Sequence, residues 1–295
     1  MKELSGIAHA KLNLTLDVIR KRNDGFHDLC MVMQEISLGD QISLAVDTNR
    51  AWELITQSGE VPCDDSNIAV RAAKLFFSAT GIKTTGLCIN LQKVTPVCAG
   101  LGGGSADGAL VLALLQKYYD YPLDNNKLYA LAEQIGSDVP FALFGGTALA
   151  EGKGERLTRM PDIPQCTFVL CKPAFPVATP TLFRAIDEEK IIVRPDTGFM
   201  CDALSKQDLC GISDALCNVF EPLVSSKHSE IEHIRSSMLT AGALNACMSG
   251  SGPTMFAVFS DTKAATKCFT ELKAIYEQTY LTVPVSAMDH KCLYC

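Results

Sequence analysis

The segment Gly100-Leu101-Gly102-Gly103-Gly104-Ser105 puts four glycines into five positions and runs straight into an apolar helical pattern from Ser105 to Tyr119. Glycine tolerates positive φ and lets backbone N–H groups close on an anion. A helix N-terminus adds unpaired N–H groups and its dipole. Together they hold a phosphate without a side-chain cation. Two familiar phosphate loops are excluded by spacing. No Gly-Lys-Ser/Thr ending is present, and Ser105 falls where the third glycine of a dinucleotide fingerprint, counted from Gly100, would stand. A plain turn is the remaining structural reading, and so dense a glycine run directly before an apolar helix weighs against it. The smaller loop Met248-Ser249-Gly250-Ser251-Gly252-Pro253 reads equally well as a structural turn or as a second ligand contact.

Transfer of a phosphoryl group needs positioning, neutralisation of charge and a group to take the acceptor's proton. Asp138 opens a helical segment in Ser137-Asp138-Val139-Pro140, with proline in the first turn. Its carboxylate suits either proton transfer or simple helix capping. Lys11 and Asn13 share one face of a strand whose other face carries Leu12, Leu14 and Leu16; a solvated strand face has the same pattern. His27 sits beside the Asp24-Gly25 pair, a position equally suited to a surface histidine.

The elements that position these residues follow from periodicity. Residues 7–20 alternate, Asp24-Gly25 favours a hairpin turn, and a second strand returns from His27 to about Leu38. A helix is predicted over Asn67–Thr80 with Gly81 as its stop, and a strand over Gly86–Gln92. Asp124 caps a helix ending at Gly136, and Gly145-Gly146 closes the segment opened by Asp138. Met160–Gln165, with two prolines, marks a boundary between domains over 1–160 and 161–295. Beyond it come strand TFVLCKP, helical patterns over 213–240, strand TMFAVFS, a helix near 262–277 and strand LTVPVSAM, the order of an α+β domain.

At 295 residues the chain is long enough for two domains with a cleft between them. The net charge of −7 gives no support for a nucleic-acid surface. No apolar run approaches the roughly 18 residues that cross a bilayer, and the charged, alternating N-terminus does not read as a signal peptide. Thirteen cysteines scattered among apolar stretches fit a reduced, cytoplasmic protein that uses Cys as a small core residue. The Cys292/Cys295 CxxC lacks a second pair at zinc-site spacing, and no carboxylate cluster suggests a resident metal.

Three segments in order, AKLNLTLDV, PVCAGLGGGSAD and CMSGSGPTMFAVF, resemble the GHMP kinase superfamily. Within it, AKLNLTLDVIRKRNDGFHDL at 10–29, GSDVPFAL at 136–143 and GGTALAEGKGE at 145–155 are similar to the diphosphocytidyl-methylerythritol kinases. The resemblance implies an α+β, two-domain GHMP kinase fold, with an N-terminal ribosomal-protein-S5-domain-2-like domain and a C-terminal ferredoxin-like domain. It implies ATP as phosphoryl donor with Mg²⁺, and a cytidine diphosphate-linked methylerythritol as the small-molecule substrate. Asp138 and Lys11 take the catalytic positions. ATP falls to Asn67, matching a DNxxxRAA helix start, and to Pro96, Val97, Cys98, Ala99, Gly100, Leu101, Gly102, Gly103, Gly104, Ser105 and Ala106, with the Ser105 hydroxyl near the β-phosphate or Mg²⁺. Asn13, Phe26, His27, Thr179 and Phe183 fall on the substrate side, the two aromatic rings enclosing the base and His27 meeting its edge. Phe26 departs from a frequent Tyr, which keeps stacking and removes a hydroxyl. Another kinase of the superfamily, acting on homoserine, mevalonate or a sugar, would not need Phe26, His27 and Phe183; a non-catalytic nucleotide-binding relative would not need Lys11 and Asp138.

Overall fold

A computed structural model describes residues 3–46, 51–84, 86–188 and 193–292. The alternating N-terminus forms a long hairpin of β1 (Glu3–Lys21) and β2 (His27–Val46), turning at Asp24-Gly25 with Gly25 at φ 84°. Next come β3 (Glu53–Thr56), α1 (Ile68–Thr80), β4 (Leu87–Gln92), α2 (Gly103–Tyr118), α3 (Asn125–Ile135) and α4 (Val139–Phe144). A short hairpin, β5 (Thr147–Gly152) and β6 (Arg156–Arg159), completes this part. The β1–β2 register slips between His9 and Lys11, Asn13 and Thr15, and Val18 and Arg20. Such bulges re-aim side chains, and two of them bracket Lys11 and Asn13.

β2 runs past the expected Leu38 because it serves two partners on one edge. Residues 29–34 pair with β5 and residues 41–46 with β4, so the sheet forks there. The path through the fork is β3-β4-β2-β1-β8, where β8 (Cys217–Asn218) is defined below. α1 and α2 pack together, and Phe76, Leu110, Leu112 and Leu115 lie in the core formed with β4. α2 is apolar on nearly every side and is accordingly buried along most of its length.

The second half begins with β7 (Thr167–Cys171), α5 (Thr179–Glu188), α6 (Thr197–Ser205) and α7 (Leu209–Asp214). It continues through β8, α8 (Glu221–Ser225), α9 (Glu230–Thr240), β9 (Asn245–Met248) and β10 (Met255–Phe259). It ends with α10 (Thr262–Lys273), β11 (Thr279–Thr282) and α11 (Ala287–Cys292). A four-stranded antiparallel sheet takes the order β11-β7-β10-β9. Its core residues Phe168, Leu170, Phe256 and Val258 meet Ala10, Leu12 and Leu14 of β1. β1 is therefore covered on both faces, and β8 crosses from the second half to pair with it.

The strand expected over LTVPVSAM stops at Thr282. The chain then leaves the second sheet, touches β2 through an Ile36–Pro284 bridge and coils into α11. Pro284 has no N–H to donate, which suits a single bridge and not a ladder. The buried cysteines behave as core residues: Cys166 and Cys171 have thiols pushed up to about 12 by burial. The Cys292/Cys295 pair lies outside the residues whose side chains are described. Among the described residues, no helix is long and apolar enough to cross a membrane.

Candidate active site

The glycine-rich loop joins β4 to α2, and it turns through positive φ at Cys98 (52°), Gly100 (76°) and Gly102 (67°). α2 begins at Gly103, two residues earlier than expected, because the last two glycines of the run, Gly103 and Gly104, themselves form its opening turn. A Cβ on Gly103 would sit 2.8 Å from Thr95 Cγ2, so the close approach requires glycine. Gly102, at the N-cap, supplies no side chain to the first-turn N–H groups. Those donors are left for a ligand.

The second loop is a brace for the first. A side chain on Gly100 would collide with the Ser249 carbonyl, and one on Gly250 would lie 2.7 Å from the Gly100 carbonyl oxygen. Ser249 Oγ donates to that same carbonyl at 3.0 Å and accepts from the Asn13 N–H at 3.3 Å. Asn218 Nδ2 holds the brace by donating to the carbonyls of Met248 and Gly250, while Glu221 accepts from the Met248 N–H. Nothing local in sequence marks Asn218 or Glu221 for this, since each acts across about 30 residues.

Asp138 separates its two sequence readings. It stands at the N-cap of α4 yet makes no capping hydrogen bond. Its Oδ2 instead lies 3.4 Å from Lys11 Nζ. Lys11 is 7% exposed and donates to Asn13 Oδ1 at 2.6 Å. Its backbone N–H donates to the Leu101 carbonyl, which ties β1 to the glycine-rich loop. A Cβ on Gly102 would fall 3.1 Å from Lys11 Cγ and 3.6 Å from Asp138 Oδ2, so the loop passes directly beside the pair. Asn13 is fully buried behind Lys11, with Nδ2 against Met31 Sδ, and orients the ammonium from below.

Two cavities open on either side. One, of about 680 Å³, is lined by Asn67 and by Pro96 through Ser105, together with Lys93 and Ser251. Ala106 is the exception to the expected set, because its methyl turns into the α1–α2 core. Asn67 both caps α1, accepting from the Ala69 N–H, and faces the cavity. Asp107, one helical turn in, has its carboxyl pushed up to about 7, chiefly by burial, with Lys93 opposing the rise and Asp40 adding to it.

The other cavity, of about 670 Å³, is lined by Phe26, His27, Thr179 and Phe183, and by Gly136 and Ser137 just before Asp138. Thr179 and Pro180 line both, so the two spaces meet there. Phe26 is 60% exposed with Lys153 over its ring. Phe183 stacks on the His27 imidazole at 4.8 Å and lines the same cavity as Phe26. His27 Nε2 is engaged by Asp187 Oδ1 at 2.9 Å. Hydrogen bonds from Lys21 and His27 hold the Asp187 carboxyl below its usual range. A third cavity, about 820 Å³ and lined by Ser37, Asp162 and Ser286, contains none of the expected residues. Among the described residues no group of three or more His, Cys, Asp or Glu could hold a metal ion.

Models of the GHMP kinase N-terminal and C-terminal domains match residues 67–146 and 200–278. The chain is 38% identical over 275 residues to a 4-diphosphocytidyl-2-C-methyl-D-erythritol kinase of Clostridium kluyveri, covering 93% of this chain and 98% of that one. It is 41% identical over 277 residues to the enzyme of that name from Lachnoclostridium phytofermentans, covering 93% and 95%. A crystal structure of a 4-(cytidine 5'-diphospho)-2C-methyl-D-erythritol kinase superposes with a TM-score of 0.80 at 31% identity, covering 95% of this chain and 99% of that one. A homoserine kinase from Cytophaga hutchinsonii shares the fold, with a TM-score of 0.77 at 18% identity and coverage of 97% and 96%.

The backbone contact between the loops is testable by comparing two glycines of similar φ. Gly81 (φ 69°) has open space around its Cβ position, whereas Gly100 (φ 76°) abuts Ser249. In denaturant unfolding, Gly81→Ala should cost about 1 kcal/mol for left-handed strain alone, and Gly100→Ala at least about 2 kcal/mol more. Equal costs would show that the loops do not pack as described.

Proposed function

From the premise that this chain belongs to the GHMP kinase family, and within it to the 4-diphosphocytidyl-2-C-methyl-D-erythritol kinases, we propose that it transfers the γ-phosphate of ATP to the 2-hydroxyl of 4-diphosphocytidyl-2-C-methyl-D-erythritol. It thereby serves isoprenoid-precursor synthesis. The observation that carries this reading is the Lys11–Asp138 pair beside Gly102, with Gly102 lining one cavity and Gly136-Ser137 the other. In this reading the ATP phosphates lie against the N-terminus of α2 and the adenine near Asn67. The diphosphocytidyl group occupies the space around Phe26, His27 and Phe183, and its methylerythritol reaches Asp138.

Asp138 accepts the hydroxyl proton as the oxygen attacks the γ-phosphorus. The bond to the β-phosphate oxygen breaks, and its electron pair leaves with ADP. Lys11 lowers the energy of the spreading phosphoryl charge during the step. Asn13 keeps the ammonium from turning away. Mg²⁺ would be held by phosphate oxygens and water with the Ser105 hydroxyl at hand, as no group of three or more His, Cys, Asp or Glu among the described residues could hold it. The segments 1–160 and 161–295 act as two domains that enclose the cleft. The use of Cys166 and Cys171 as buried core residues supports a cytoplasmic setting.

Replacing Asp138→Asn should lower kcat by about 10² to 10⁴ while ATP still binds; near-normal turnover would remove Asp138 from the mechanism. The choice among alcohols is tested by inhibition. CDP should compete with the alcohol substrate, and Phe183→Ala should weaken CDP by about 1 to 3 kcal/mol, the range for base–aromatic stacking. Absence of inhibition by CDP would place the substrate pocket elsewhere and favour another small alcohol.

A further inference from the structure

Beneath the glycine-rich loop lies a buried charge cluster that the chemistry above does not use. Asp40 is fully buried on β2 between the stretches that pair with β5 and β4. Its Oδ1 accepts from the backbone N–H groups of Val94 and Thr95 at 2.6 and 2.7 Å, at the stem where the loop leaves β4. Its Oδ2 accepts from Lys93 Nζ at 2.6 Å, and the same ammonium donates to Asp107 Oδ2 at 2.7 Å, on the far side of the loop in α2. One ammonium thus joins the strand end, the sheet fork and the helix.

Two carboxyl groups thus share one buried ammonium near the place where a triphosphate would lie. Asp107 Oδ1 and Thr95 Oγ1 are also buried without a protein hydrogen-bond partner. Stability alone does not favour this arrangement, since apolar side chains of similar volume in place of buried ion clusters are often neutral or stabilising. Its geometric effect is specific. The chain between Lys93 and Asp107 is the phosphate loop itself, and fixing both its ends fixes the directions of its N–H groups.

We propose that Asp40, Lys93 and Asp107 are positioning residues for the phosphoryl donor, with Lys93 stapling the stem of the glycine-rich loop to α2 so that the loop's N–H groups are held ready for the triphosphate. This rests on the reading of that loop as the ATP site. The cluster makes a prediction opposite in sign to the alternative in which Lys93 simply attracts phosphate as a point charge. Removing the Asp107 carboxylate cuts the staple but leaves Lys93 with one fewer competitor. A staple then loses ATP affinity, whereas a point charge gains it.

The test is direct binding of MgATP to the full chain, with thermal unfolding and the alcohol KM measured alongside. Asp107→Leu should raise the Kd for MgATP about tenfold or more and leave the alcohol KM unchanged, with thermal unfolding confirming that the variant is folded. Asp107→Asn still accepts from Lys93 and should return the Kd to within about threefold of the parent. Asp107→Ser, too short to reach Lys93 but able to hydrogen-bond water, carries the same expectation as the leucine variant and replaces it if that variant does not fold. A Kd for Asp107→Leu or Asp107→Ser within about twofold of the parent, or tighter, overturns the staple. A parent chain that binds no MgATP overturns the kinase reading instead.

Discussion

The backbone of Gly100 lies directly against the carbonyl of Ser249, and the rest of the site depends on that contact. A chain with net charge −7 has no general attraction for a triphosphate. It must present N–H groups, and such groups bind an anion strongly only when their directions are fixed beforehand. Glycine supplies the required φ values but also gives the loop freedom to leave them. The second glycine loop removes that freedom by packing backbone on backbone. Asn218 and Glu221 in turn secure it to the edge of the first sheet. The two halves of the chain therefore meet at the glycine-rich loop and fix its course together.

The same contact line places the chemistry. The Leu101 carbonyl accepts from the Lys11 N–H, and Gly102 passes beside Lys11 and Asp138. Bulges in β1 on both sides of this stretch turn Lys11 and Asn13 off the regular pleat. A buried ammonium is costly without partners. Here it has two, and the partner that remains partly open to solvent, with 28% side-chain exposure, is the carboxylate assigned to the proton.

Much of this was legible in the chain. The hairpin at Asp24-Gly25, the caps at Asn67 and Asp124, and the glycine-rich loop leading into α2 are local signals, carried by residues within a few positions of one another. Asp138 shows where such signals end. Its position before Val139-Pro140 is that of a helix cap, and only the partner across the fold, more than a hundred residues away, reveals that the carboxylate has turned elsewhere. The stacking of Phe183 on His27 and the grip of Asp187 on its Nε2 link residues about 160 apart, so no periodicity could announce them. The end of β11 lies beyond what periodicity can mark, because alternation continues through Pro284 while the strand ends at Thr282. Ala106 shows a finer limit: one step along a helix turns a side chain about 100°, which sends its methyl into the core and leaves only its backbone on the loop.

The central claim is that one site joins ATP to a cytidine-bearing alcohol, and it is tested most directly by following both products of a single incubation. With MgATP and 4-diphosphocytidyl-2-C-methyl-D-erythritol, the purified chain should release ADP in step with a new phosphomonoester on the 2-hydroxyl, seen by phosphorus NMR. Homoserine or mevalonate in place of that alcohol should give no comparable release. ADP formation no higher than background with the diphosphocytidyl substrate, or equally fast with the other alcohols, would contradict the account.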